Sequence, residues 1–120
     1  MMIRNETPIA RPWTLTRDRS FSKVIRFRNP DGTLQALDGS VFKLFVKPRG
    51  QNEFTIDADG PAGQKLIIDL DAKTVKIYIS DESVDAFEWR TADIRFEQED
   101  ADGDKRQRFF GQLRFERSRA

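Results

Sequence analysis

Val41-Phe42-Lys43-Leu44-Phe45-Val46-Lys47 alternates apolar and charged residues, and Pro48-Arg49-Gly50 ends the run. In an extended chain successive side chains point to opposite faces, so Phe42, Leu44 and Val46 share one face. Lys43 and Lys47 take the other, with Phe45 on the lysine side. The run reads as a half-buried strand, and its aromatic and β-branched content suits that state.

The same pattern recurs toward the N-terminus. Phe21-Ser-Lys-Val-Ile-Arg-Phe-Arg28 puts Phe21, Ile25 and Phe27 on one face, with Lys23 as the exception. It stops at Asn29-Pro30-Asp31-Gly32, where proline presets a turn φ and glycine tolerates a positive one. Asp38-Gly39 is a second stop. Residues 1–12 mix polar residues with Pro8 and Pro12, each of which fixes φ and removes a ladder donor. An extended arm follows, one that either adds an edge strand or hangs free.

Toward the C-terminus, residues 54–57 form a short candidate strand, and Asp59-Gly60-Pro61-Ala62-Gly63 is a loop by composition. Residues 65–70 and 74–80 form a hairpin about Asp71-Ala72-Lys73, with inward sets Leu66, Ile68, Leu70 and Val75, Ile77, Ile79. Ser80 is placed to cap a helical turn, with Asp81 and Glu82 complementing its positive end and Val84 and Phe87 pinning it inward. Ala92, Ile94 and Phe96 mark a strand to about Gln98. Phe109, Gly111, Leu113 and Phe115 mark the last, with Asp102-Gly103 turning between them. About seven or eight short strands and one short helical turn predict an all-β fold, an immunoglobulin-like antiparallel β-sandwich. The domain spans residues 13–117, with the arm at 1–12 and a tail at 118–120.

Composition narrows the chemistry. The 120 residues suffice for one core, and 21 Lys and Arg nearly cancel 20 Asp and Glu to leave a formal charge of +1. So balanced a chain has no strong field for polyanions, and neither a nucleic-acid nor a membrane partner is expected. No window reaches the roughly 18 apolar residues of a membrane-spanning helix, and the N-terminus lacks a hydrophobic signal region. The expected location is cytoplasmic when made, and the virion if a particle takes the protein up. With no cysteine and no histidine, disulfides, thiolate and histidine-ligated metals, and Ser-His-Asp or Cys-His catalysis are excluded. The expectation is a non-enzyme with no cofactor, no metal site and no catalytic residues.

Four groupings invite function. Glu99-Asp100-Ala101-Asp102-Gly103-Asp104 suggests calcium through Asp100, Asp102 and Asp104, but it lacks the EF-hand order and its bidentate glutamate, and a hairpin turn needs such residues anyway. Asp57 and Asp59 flank a similar loop. A distant carboxylate pair serves glycosidases as acid and base, but acidic residues here belong mostly to turns, and no pair is nominated. Lys105-Arg106-Gln107-Arg108-Phe109-Phe110 with Arg114, Arg117 and Arg119 interleaves cations and aromatics as single-strand nucleic-acid surfaces do, and a strand with Phe inward and Arg outward gives the same string. Trp13 and Trp89 are either core or interface.

Phe21-Ser-Lys-Val-Ile-Arg-Phe27, Asp31-Gly32-Thr33, Leu37-Asp38-Gly39 and Phe42-Lys-Leu-Phe-Val-Lys47 together resemble the small immunoglobulin-like domains of tailed-phage structural proteins, nearest to the baseplate upper-protein N-terminal domain. Val75-Lys-Ile-Tyr-Ile-Ser80, residues 81–87, Asp93-Ile94 and Phe110-Gly111-Gln-Leu-Arg-Phe115 fill the later positions, so the resemblance runs over roughly residues 13–117. Where related sequences often show an Arg-Gly-Asp-like turn, this chain has Thr16-Arg17-Asp18-Arg19. The resemblance implies a tail, baseplate or head-tail component that contacts other phage structural proteins or its own copies. The alternative is a stand-alone binding module, for example one taking carbohydrate on exposed Trp13, Trp89 or Tyr78.

Overall fold

Each alternating run becomes a strand, and the computed structural model describes residues 7–116. In chain order these are β1 (Thr7–Pro8), β2 (Trp13–Leu15), β3 (Phe21–Ile25), β4 (Val41–Pro48), β5 (Phe54–Asp57), β6 (Gln64–Asp69) and β7 (Thr74–Ile79). Helix α1 (Asp81–Ala86) follows, then β8 (Thr91–Glu99) and β9 (Lys105–Phe115). A six-stranded sheet has the order β1-β9-β8-β4-β5, with β2 also on β9, and a three-stranded sheet has the order β3-β7-β6. The two sheets enclose one core, in an immunoglobulin-like β-sandwich.

The expected count of seven or eight strands becomes nine among the described residues because two short strands precede β3: β1 in the arm and β2 just after it. Both pair parallel with β9, Thr7 opposite Phe109 and Trp13 opposite Leu113, so the sandwich is antiparallel everywhere except at this closure. Pro8 and Pro12 keep these strands short, as expected of prolines on a sheet edge. Ile9 N–H donates to the Phe110 carbonyl at 2.9 Å, and Glu116 N–H to that of Leu15 at 2.8 Å. Gly111 makes the approach possible: a Cβ there would lie 2.7 Å from the Cβ of Ile9.

The inward sets meet in the middle. Phe42, Leu44 and Val46 of β4 and Ala92, Ile94 and Phe96 of β8 face Val75, Ile77 and Ile79 of β7, all buried. Each large side chain so buried contributes about 1.5–3 kcal/mol relative to exposure. Leu66 is buried as expected, whereas Leu70 lies beyond the end of β6 with 48% of its surface exposed, because the β6–β7 turn has already begun. Strand β3 stops at Ile25, short of the expected residue 28. Phe27 is nevertheless buried, held by a bridge between Arg28 and Leu34. Lys23, the exception on the inward face, carries its ammonium 5.6 Å over the Trp13 ring.

The helical turn forms for the expected reason. Ser80 is its N-cap, accepting from Ser83 N–H at 3.2 Å, and Val84 is fully buried beneath it. Among the described residues no helix is long and apolar enough to cross a membrane.

Ser80→Ala lowers the unfolding free energy by about 1 kcal/mol in a urea melt, the usual loss for a serine cap. Gly111→Val forces Ile9 off β9, so hydrogen exchange at the Ile9 amide speeds up while β4 and β8 amides keep their protection; unchanged Ile9 exchange contradicts the close approach.

Candidate interaction surface

The acidic loop is a turn that consumes its own carboxylate. Asp100 accepts from the backbone N–H groups of Asp102 and Asp104, both at 3.0 Å, while Asp100 N–H donates to the Asp104 carbonyl at 2.9 Å. Asp102 and Asp104 are exposed and do not converge with it, and among the described residues no three acidic side chains come together as a metal site. Asp57 does the same work in its own loop, accepting from Asp59 N–H at 3.0 Å. At the 29–33 turn the Thr33 hydroxyl, and then its backbone N–H, hold the Asp31 carboxyl below its ordinary pKa.

The basic string splits at a bulge. Phe96 pairs with Phe109, but the next residue, Glu97, pairs with Gln107, which leaves Arg108 as the extra residue of β9. Alternation would turn Arg108 outward, away from Phe109; the bulge swings it between the sheets. Its guanidinium carbon lies 4.1 Å from the centre of the Phe27 ring. Nη1 donates to Gln98 Oε1 at 3.1 Å and Nη2 to Gln35 Oε1 at 3.4 Å. Gln98 is the buried polar side chain of the described core, satisfied on its other side by donating to Ser40 Oγ at 3.0 Å. Burial, and next the like charge of Arg106, lower the Arg108 pKa.

Arg17 was likewise invisible in sequence. Thr16 to Arg19 is a turn, closed by Arg19 N–H on the Thr16 carbonyl at 3.2 Å, with Asp18 at a φ of 65°. This aims Arg17 across α1: Nη1 donates to the carbonyls of Val84 and Phe87 at 2.8 and 2.9 Å, and the guanidinium stacks 3.9 Å from the Phe115 ring centre.

The two tryptophans separate. Trp89 is core, only 6% exposed and clustered with Phe87 and Phe115 at 4.9 and 5.2 Å. Trp13 is half-buried, 5.5 Å from Phe109 and 6.1 Å from Phe21. Tyr78 sits on the outward side of β7, opposite in phase to buried Ile77 and Ile79. These three rings share no common face.

What the surface does offer is an open edge and two mixed faces. On the three-stranded sheet, Val24 and Ile67 flank Lys76 in one cross-strand row, 46% and 45% exposed. On the six-stranded sheet, Phe45, Arg95 and Phe110 form one row, with the Arg95 guanidinium 3.9 Å from the Phe45 ring centre and 3.4 Å from Glu53. Among the described residues β3 pairs only with β7 and leaves its other edge open. Its outward residues are the uncharged Ser22 and Val24, and its one lysine, Lys23, lies on the other face with its ammonium 5.6 Å over the Trp13 ring.

The chain matches no known protein-family model, and no curated protein shows significant sequence similarity to it.

Millimolar calcium leaves the melting temperature unchanged, since Asp100 Oδ1 is already bonded within the turn and Oδ2 lies 4.0 Å from Arg106. A rise that saturates with calcium and vanishes in Asp102→Asn contradicts this geometry.

Proposed function

We propose that this chain is a structural or assembly protein of tailed-phage type, a tail, baseplate or head-tail component that acts through protein–protein contacts with other structural proteins or with its own copies. The observation that carries the reading is the open edge of β3. Unpaired N–H and C=O groups on an edge are a template for strand addition, and stable monomers ordinarily block them with lysine, proline or a bulge. Here the five residues Phe21–Ile25, exposed Val24 among them, carry no proline or bulge, and their one lysine, Lys23, leans toward the Trp13 ring.

The phage assignment draws its support from the sequence motifs that resemble those immunoglobulin-like domains. The residues carrying them, 21–27, 42–47, 75–80 and 110–115, supply β3, β4, β7 and β9. Sandwiches host many functions, so the fold alone selects none; the edge is what favours assembly.

Light scattering from about 1 µM to 1 mM tests this, because mass action exposes weak self-association. The expected result is a defined oligomer that Val24→Asp returns to monomer, with stability altered by no more than about 0.5 kcal/mol because the side chain is exposed. A strict monomer over the whole range overturns self-assembly through β3.

A further inference from the structure

Between the end of β3 and the bulged part of β9 lies a cleft of about 630 Å³, within the size range of ligand sites. Its walls include Arg26, Arg28, Arg106 and Arg108, with Phe27 and Phe109 at its base, and among the described residues no aspartate or glutamate belongs to the lining. Four arginines around one hollow are unusual in a chain whose formal charge is only +1.

Arg108 is the centre of this group, and among the described residues it bonds no carboxylate. Arg108 is half-buried, and a guanidinium partly withdrawn from water gains most from a carboxylate partner, because desolvating a cation is costly without a counter-charge. Arg108 instead donates to two neutral amide oxygens, those of Gln98 and Gln35, and its charged neighbour is another cation, Arg106. Arg17 shows the contrast within the same molecule. Its guanidinium also lies on an aromatic ring, but it is exposed and reaches three backbone carbonyls at the end of α1. The remaining Arg108 donors are available for a planar pair of acceptor oxygens, the geometry that arginine recognises best.

We propose that the cleft binds an acidic segment of a partner protein, one of its carboxylates engaging Arg108 and others the exposed Arg26 and Arg106. The proposal names the partner chemistry for the protein-contact reading above and rests on that reading for the partner being a protein. Three observations favour a peptide over a nucleic acid. Phe27 and Phe109 are each only 9% exposed and Arg108 already covers one face of Phe27, so no ring is open for base stacking. Asp100, 4.0 Å from Arg106, puts a negative charge at the rim, which repels a continuous polyanion but tolerates a segment of mixed charge. Ile9 and Pro30 add apolar walls suited to side chains between the carboxylates.

The test is an NMR titration of the intact, labelled chain, read at the Arg108 side-chain Nε–H. The probes are a short peptide alternating glutamate and leucine, its glutamine counterpart, inorganic phosphate and a thymidine oligonucleotide. The expected result is that the glutamate peptide alone binds saturably and moves this resonance. Arg108→Gln weakens it by about tenfold or more, as removing a charge-assisted contact does. The double variant Arg26→Gln with Arg106→Gln, whose side chains are exposed, weakens it comparably and keeps the melting temperature, which guards against misfolding of the first variant. Equal response to phosphate, response to the oligonucleotide alone, or silence toward all four probes overturns the proposal. Because this readout needs no self-association, peptide binding by a strict monomer separates failure of the β3-edge reading from failure of the cleft.

Discussion

Four phenylalanine rings stacked through the sandwich set the positions of most other residues. Phe96 lies parallel to Phe109 at 4.8 Å and to Phe42 at 5.6 Å within the six-stranded sheet, and Phe27 joins Phe42 at 6.1 Å from the chain leaving β3. A chain without cysteine has only such packing to tie its sheets together. The stack also dictates a defect. Phe96 against Phe109 fixes one register for the β8–β9 hairpin, and the turn nucleated by Asp100 fixes another, Glu99 opposite Lys105. The two differ by one residue, and the bulge at Arg108 absorbs the difference.

A second aromatic group, Phe54, Phe87, Trp89 and Phe115, packs beside α1. Each group carries an arginine on one ring, Arg108 on Phe27 and Arg17 on Phe115. The two differ in what they meet. Arg17 gathers carbonyls at the C-terminal end of α1, so it fastens the turn before β3 to the helix. Arg108 meets amide side chains across a gap between the sheets, where packing alone does not fill the space.

Most of the sandwich was legible because strand alternation is a local signal. Phe42, Leu44 and Val46, and Val75, Ile77 and Ile79, are buried as their phase required, and Ser80 caps the turn its hydroxyl suggested. Three features were illegible, each for a non-local reason. The parallel pairing of Trp13 with Leu113 joins residues from opposite ends of the chain, with no local pattern to announce it. Leu70 keeps the phase of Leu66 and Ile68 but lies past the last paired residue, Asp69, where phase no longer sets burial. Arg108 reads as an outward residue next to inward Phe109, and only the register conflict with the Asp100 turn reverses it. The surface was the least legible part, because an open edge is defined by the absence of a neighbour, which no residue of β3 encodes.

Closure of the sandwich and formation of the arginine cleft are one structural event. Ile9 fills the notch that Gly111 leaves on β9, and the same residue, with Pro8, walls the cleft. Docking of the arm therefore pairs the free side of β9 and shapes the hollow around Arg108 at once. Without the arm, β9 would present an open edge and Arg108 a shallower, wetter surface, where water competes for the guanidinium donors and a carboxylate gains less. The arm's weak sequence signal, two prolines in a polar stretch, thus supports the arginine-lined cleft.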